Sequence, residues 1–307
     1  MAPALRRNGA RIRKALQVCS LADHSQQLVH RSPPLRVLGL DVNTNSTGLA
    51  VVTEQGRVCR WGHIPTTQFA SADVLHIGGA IDEFLCNVQA VEPKEVQWVV
   101  GIEAFMRMFR SGRFHNAGIF QLAQLNGIVS FACWKRFNVL PLHTHPSAAR
   151  GFFGLSAPTS TSSKKKKDSI KLQVMSFLEQ QEPDLTRAAN EDTKGSEPLP
   201  GFERMRTGSL ADSAFDIADA YVIAAYTRCV HFQTQLQVQQ PQLAQEFSRR
   251  YMELTHEAAA KKKKFTEVEA LESMKEKEKT AYIHDLFTYG LENWFKENNK
   301  SFETASK

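Results

Sequence analysis

A chain of 307 residues with 42% hydrophobic content can bury one good core plus an appendage. No apolar run approaches the roughly 20 residues of a membrane span. The five cysteines, Cys19, Cys59, Cys86, Cys133 and Cys229, form no CxxC pair, which argues against a zinc site or a disulfide framework and suits a reducing interior. The net charge of +6 is mostly local, because residues 1–34 carry Arg6, Arg7, Arg11, Arg13, Lys14 and Arg31 against Asp23 alone. Only local basic patches can therefore speak for nucleic acid.

That first stretch is Arg-rich, nearly free of acids, and has a rough apolar side in Leu5, Ile12, Leu16 and Val18. It lacks the long apolar core of a secretory signal and matches an organellar transit peptide, mitochondrial rather than plastid because it is not especially Ser-rich. The competing reading is a disordered basic arm.

From residue 35 to about 232 the pattern is that of an α/β domain, β-β-β-α-β-α-β. Val37–Leu40 is an apolar strand that ends on Asp41, Asn43–Gly48 is turn chemistry, and Leu49–Thr53 begins the return strand. Arg57–His63 reads as a third strand, and Ala72–Val88 has helical spacing. Val96–Glu103 is a strand that again ends on a carboxylate. Ala117–Phe137 is a helix, and Val139–His143 a short strand.

Residues 156–168 form a low-complexity basic insert that includes Lys164–Lys167, followed by a helix over Ser169–Gln181. Residues 182–208 read as a mobile surface loop. Ser209–Val230 is a helix, with Ser209 as N-cap and Asp212 at N3. Residues 233–307 form a charge-dense helical extension, with segments over 239–264 and 265–297. Ile283, Phe287, Leu291 and Phe295 make an apolar stripe that Gly290 interrupts.

Three elements each deliver acid. Asp41 ends the first strand, Glu103 ends the fourth, and Asp216 and Asp219 stand three apart on one face of the last helix of the body. A lone strand-end Asp is more often a turn former. An acid pair among Ala218, Ala220 and Ile223 is costly unless a cation compensates it or the pair lies on a solvated edge. Four carboxylates around two divalent ions suit metal-assisted phosphodiester hydrolysis.

The residues carry a resemblance to the RuvC-type Holliday-junction resolvases, a branch of the RNase H-like nucleases. It rests on Gly39-Leu40-Asp41-Val42 with Thr47-Gly48, on Ile102-Glu103 with Phe105-Met106, and on Asp216-Ile217-Ala218-Asp219-Ala220, which is similar to the family's D-x-A-D-A helix. His145–Arg150 resembles the family's Pro-x-x-x-Lys, with Arg150 in place of the lysine, and Lys171-Leu172-Gln173-Val174 resembles its Lys-x-x-Val. The resemblance covers about residues 35–230. It implies a mixed five-stranded sheet flanked by helices, with Asp41, Glu103, Asp216 and Asp219 as catalytic acids and ligands of two Mg2+ ions, for which Mn2+ can substitute. It also implies branched DNA as substrate and a homodimer. The insert, the long loop and the extension have no counterpart in the bacterial family.

Arg107, Arg110 and Arg113, interleaved with Phe105, Phe109 and Phe114, suit a strand backbone and an unstacked base, or are simply a solvated loop over core aromatics. With Arg150 and Lys171 they are the nucleic-acid-binding candidates. His115, His143 and His145 read best as structural. Three functions remain open: a junction-resolving endonuclease of the mitochondrial matrix, an assembly factor of a mitochondrial ribonucleoprotein docked through the extension, and an RNase H acting on hybrids.

Overall fold

Five strands form one mixed sheet in the order β3-β2-β1-β4-β5: β1 (Leu35–Val42), β2 (Ser46–Thr53), β3 (Val58–Pro65), β4 (Gln97–Glu103) and β5 (Leu142–Thr144). β2 runs antiparallel to β1 and β3, while β4 runs parallel to β1 and β5. The structure is a computed structural model and describes residues 2–31, 33–70, 73–105, 117–155, 163–183, 202, 205–206, 210–262 and 266–298. These divide into two compact units, 33–228 and a second made of 1–32 with 229–307.

Strand parity decides what each face carries, since alternate side chains point to opposite sides. Leu38, Leu40 and Val42 of β1, Leu49 and Val51 of β2, and Trp98, Val100 and Ile102 of β4 share one buried cluster. That cluster includes Ile77, Ile81, Leu85 and Val88 of α3 (Val74–Ala90) and Leu125, Val129, Cys133 and Phe137 of α4 (Ala117–Phe137). Asp41 and Glu103 fall on the opposite parity, away from this core.

The opposite face holds the helix Asp212–Gln239. Between β5 and it, the chain forms α5 (Pro146–Phe152) and α6 (Ser163–Gln181), which makes it α7. Gly39 and Gly48 let α7 lie directly on the sheet, because a methyl group at Gly39 would overlap the backbone of Ala220 and Ala224, and one at Gly48 the backbone of Asp216. A helix this close needs small residues on its own side as well, and Ala218, Ala220 and Ala224 are fully buried.

The α/β order expected for the body is observed, with shifted ends. Ser46–Gly48 belongs to β2, so the hairpin turn is confined to Asn43–Asn45. The helix α6 begins at Ser163, six residues ahead of expectation, and takes in the backbone of the lysine run. Ser209, the expected cap, lies outside the described residues, and α7 runs on to Gln239.

The second unit is built of helices. Residues 1–34 contain two helices, α1 (Ala2–Gln17) and α2 (Leu21–Arg31), and α1 packs against α8 (Pro241–Lys262) and α10 (Glu276–Asn298). Ile12, Ala15, Leu16, Cys19, Leu21 and Leu28 are buried, as are Phe247, Tyr251, Phe287 and Phe295. Arg11 donates to Thr255 Oγ1 at 3.1 Å and lies over the Tyr251 ring. The expected segment 265–297 is two helices, α9 (Thr266–Ser273) and α10. Gly290 does not interrupt α10. A Cβ there would come within 2.7 Å of Ile12 and 2.8 Å of Leu16, so the glycine is where α1 closes on α10.

Candidate functional site

The site grows from one cross-strand row. His63, Gly48 and Asp41 are paired neighbours on β3, β2 and β1, so all three face α7. Gly48 leaves a gap in the middle of the row, and the Asp216 backbone seats in it. That contact sets the height of α7 and brings Asp216 beside His63 and into the field of Asp41. Ser46 Oγ donates to Asp216 Oδ2 at 2.5 Å, and His63 Nε2 stands 3.8 Å from the same oxygen.

On the other side of Asp41, β4 continues the parallel register Leu40↔Ile102 into Glu103. Asn126 of α4 donates Nδ2 to the Glu103 carbonyl at 2.9 Å, which fixes the end of β4.

Electrostatics ties the four acids together. Burial pushes the Asp41 carboxyl well above the usual range, and the hydrogen bond and charge of Glu103, then the charges of Asp219 and Asp216, push it further. Burial also raises Asp216, against the Ser46 hydrogen bond and the His63 and Lys171 charges. Burial raises Asp219 too, against the charge and hydrogen bond of Arg150, while Glu103 and Asp216 add to the rise. The expected quartet is therefore gathered at one end of the sheet, each member in the field of another.

The expected phosphate-binding residues behave differently. Arg150, on α5, holds Asp219 Oδ1 with Nε at 3.0 Å and Nη2 at 2.8 Å. Lys171, on α6, reaches Asp212 Oδ1 at 2.9 Å and lies over the Phe215 ring. Both cations are spent on acids of α7 in this state. Phe105 is half-buried just past β4, whereas Arg107, Arg110, Arg113 and His115 lie outside the described residues. His145 accepts from the Ser147 backbone N–H as the N-cap of α5, and His143 meets Ser130, as structural histidines do.

The sequence pointed to neither His63 nor Ser46. A strand pattern gives parity within β3 but not the register against β2 that sets His63 beside Gly48. Ser46 in sequence reads only as turn chemistry.

The donor chemistry fits a divalent ion of the Mg2+ class, which takes hard carboxylate oxygens. Among the described residues no three His, Cys, Asp or Glu side chains converge closely enough to hold an ion as they stand. Asp219 carries a guanidinium instead, a stand-in cation at the same acid cluster.

No protein-family model and no curated protein matches the chain. Among solved structures it is similar to T. thermophilus RuvC in complex with Holliday junction substrate, at 16% identity and a TM-score of 0.35, over 64% of this chain and 92% of that one.

Proposed function

We propose that this chain is a metal-dependent endonuclease that resolves four-way DNA junctions in the mitochondrial matrix, as a homodimer. One observation carries the reading: four carboxylates from β1, β4 and α7 lie on one face at one end of the sheet, each in the field of another. Asp41, Glu103, Asp216 and Asp219 would hold a pair of Mg2+ or Mn2+ ions, whose chemistry would be to activate a water and stabilise the leaving oxygen. The chain's own part is preparation. Burial and the neighbouring Glu103 make Asp41 a reluctant anion that a cation would stabilise, and Ser46 fixes one oxygen of Asp216. Arg107, Arg110 and Arg113 supply contacts to the strand backbone, and Phe105 a surface for an unstacked base. Symmetric nicking calls for two-fold symmetry, hence two copies. The mitochondrial assignment rests on the Arg-rich, acid-poor N-terminal stretch.

A second reading, a nucleic-acid-binding assembly factor of a mitochondrial ribonucleoprotein such as the mitoribosome, is favoured by a specific observation. Arg150 and Lys171 are already paired with acids, as they would be in a site kept for structure. RNase H-type cleavage of hybrids shares the chemistry of the first reading and differs in substrate.

The deciding experiment uses the full chain on a mobile four-way junction, a linear duplex and an RNA–DNA hybrid, in Mg2+ and in EDTA. The expected result is Mg2+-dependent paired nicking of the junction that Asp41→Asn and Glu103→Gln lower by at least about 100-fold, the loss of several kcal/mol of barrier stabilisation. Selective cutting of the hybrid moves the chain to RNase H. Failure to cut any substrate, with tight binding of organellar ribosomal RNA, moves it to the assembly factor.

A further inference from the structure

Arg150 stands where the acid cluster most needs a cation, and only its side chain has to move to leave. Its helix is anchored at both ends. His145 caps α5, and the Phe152 ring meets Tyr226 of α7 edge-on with centroids 5.2 Å apart. Both guanidinium contacts fall on a single oxygen, Asp219 Oδ1, and the pair is partly open, with side chains 23% and 17% exposed. Guanidinium is permanently charged, and its planar fork suits a phosphate as well as a carboxylate. The Asp219 carboxylate is wanted by any divalent ion that enters the cluster, and an ion at Asp219 would set a like charge against Arg150.

We propose that Arg150 is an exchangeable counter-cation: it holds Asp219 when no metal is present and is released to a nucleic-acid phosphate when a divalent ion takes its place. This rests on the nuclease reading of the acid cluster and adds a coupling to it. Metal binding frees a phosphate ligand, and a bound phosphate removes the metal's competitor, so each raises the affinity of the other by the same factor. A fixed structural ion pair would have no such coupling, and losing its arginine would leave Asp219 a half-buried, uncompensated acid.

The test uses the full chain as wild type, Arg150→Gln and Arg150→Lys. Mn2+ binding is measured by titration calorimetry and electron paramagnetic resonance without nucleic acid, and four-way-junction affinity by gel shift in Ca2+ and in EDTA. The expected result is Mn2+ binding about fivefold or more tighter in Arg150→Gln, the lower end of typical coupling between sites, with Arg150→Lys in between. Wild-type junction affinity should rise on adding Ca2+, and that rise should shrink in Arg150→Gln. Equal or weaker Mn2+ binding in Arg150→Gln, with wild type binding normally, overturns the exchange and leaves the nuclease reading standing. No Mn2+ binding in any of the three overturns both together. If Arg150→Gln does not fold, the wild type decides: junction affinity equal in Ca2+ and EDTA overturns the exchange, and affinity that rises with Ca2+ supports it.

Discussion

Asp41, at the end of β1, sits against Glu103, at the end of β4, and burial together with the hydrogen bonding and charge of Glu103 holds the Asp41 carboxyl well above its usual range. A buried carboxyl beside a second acid keeps its proton to higher pH than an exposed one does. The folded Asp41 carboxyl lies well above its ordinary value of 3.8, and Asp216 and Asp219 are shifted the same way. The folded state thus binds protons that the unfolded chain gives up. That contribution to stability is complete below the ordinary carboxylate value and is lost as pH rises through the raised ones. In EDTA, Asp41→Asn should become progressively more stable relative to wild type as pH rises above the ordinary carboxylate range. The expected gap is a few degrees in Tm, at about 2–4 °C per kcal/mol for a unit of this size. If the proposed metal site is right, added Mg2+ should reverse the order, because wild type alone would keep all four proposed ligands. A gap in EDTA that does not change with pH would falsify the raised Asp41 carboxyl.

The acids themselves were legible from sequence, and the reason is local. A carboxylate that ends an apolar strand, and two of them three residues apart among alanines, are visible without tertiary information, and β1, β4 and α7 formed where the pattern put them. What lay hidden depends on pairing. His63 joins the site through the β2–β3 register and Ser46 through the closeness of α7. Arg150 and Lys171, expected to face phosphate, face acids of α7, because residue type does not reveal whether a cation meets phosphate or an acid on a neighbouring helix. The N-terminal stretch was ambiguous for a physical reason: an Arg-rich helix with an apolar side looks the same whether it addresses an organelle or packs on a helix. Gly290 misled similarly, since a glycine that weakens a lone helix is the residue that admits a close neighbour.

The N-terminal helix makes a direct prediction about the second unit. Ile12 and Leu16 are 1% and 5% exposed, and both would touch a Cβ at Gly290. Leu16→Ala should cost about 2–5 kcal/mol in that unit, the usual range for a buried leucine. Deleting residues 2–31 should leave α8 and α10 open to protease. Limited proteolysis and urea melts of the full chain check both, and a deletion as resistant as wild type would mean the segment is dispensable. Fusing residues 1–34 to a reporter tests targeting separately, and a cytosolic or nuclear reporter removes the mitochondrial reading.

Glu92 should be among the costliest single charges to remove from the sheet unit. Its side chain is 5% exposed and takes Arg36 Nε at 2.6 Å on one oxygen and Arg60 Nε at 3.0 Å on the other. Breaking a buried ion pair from one side leaves uncompensated charge, and here two guanidinium groups would face each other. Glu92→Ala should destabilise by about 3–5 kcal/mol, and Glu92→Gln by less because it keeps an acceptor oxygen. The denaturant midpoint gives the number, and a loss under about 1 kcal/mol for Glu92→Ala would show that Arg36 finds enough support in Glu54, 3.8 Å away.

The last prediction concerns the homodimer and the outer side of α4. That helix buries Leu125, Val129, Cys133 and Phe137 against the sheet. The residues at 124, 127, 131 and 134 follow the 3–4 spacing of a single stripe on the far side. Phe131 and Trp134 are 60% and 47% exposed, with ring centroids 5.8 Å apart. At Gly127 a side chain would meet nothing within 4 Å, so a second helix has room to approach there. Paired aromatics beside a glycine suit a two-fold contact, in which the same stripe supplies both sides. Phe131→Glu with Trp134→Glu should turn a dimer into a monomer in sedimentation velocity. The circular dichroism melt should hardly change, because neither side chain contributes to the core and exposed substitutions usually cost within about 0.5 kcal/mol. On a four-way junction the monomer should make single nicks in place of paired ones. If the double variant still sediments as a dimer, the contact lies elsewhere on the chain. If wild type remains a monomer at tens of micromolar and on the junction, the symmetric mechanism itself has to be given up.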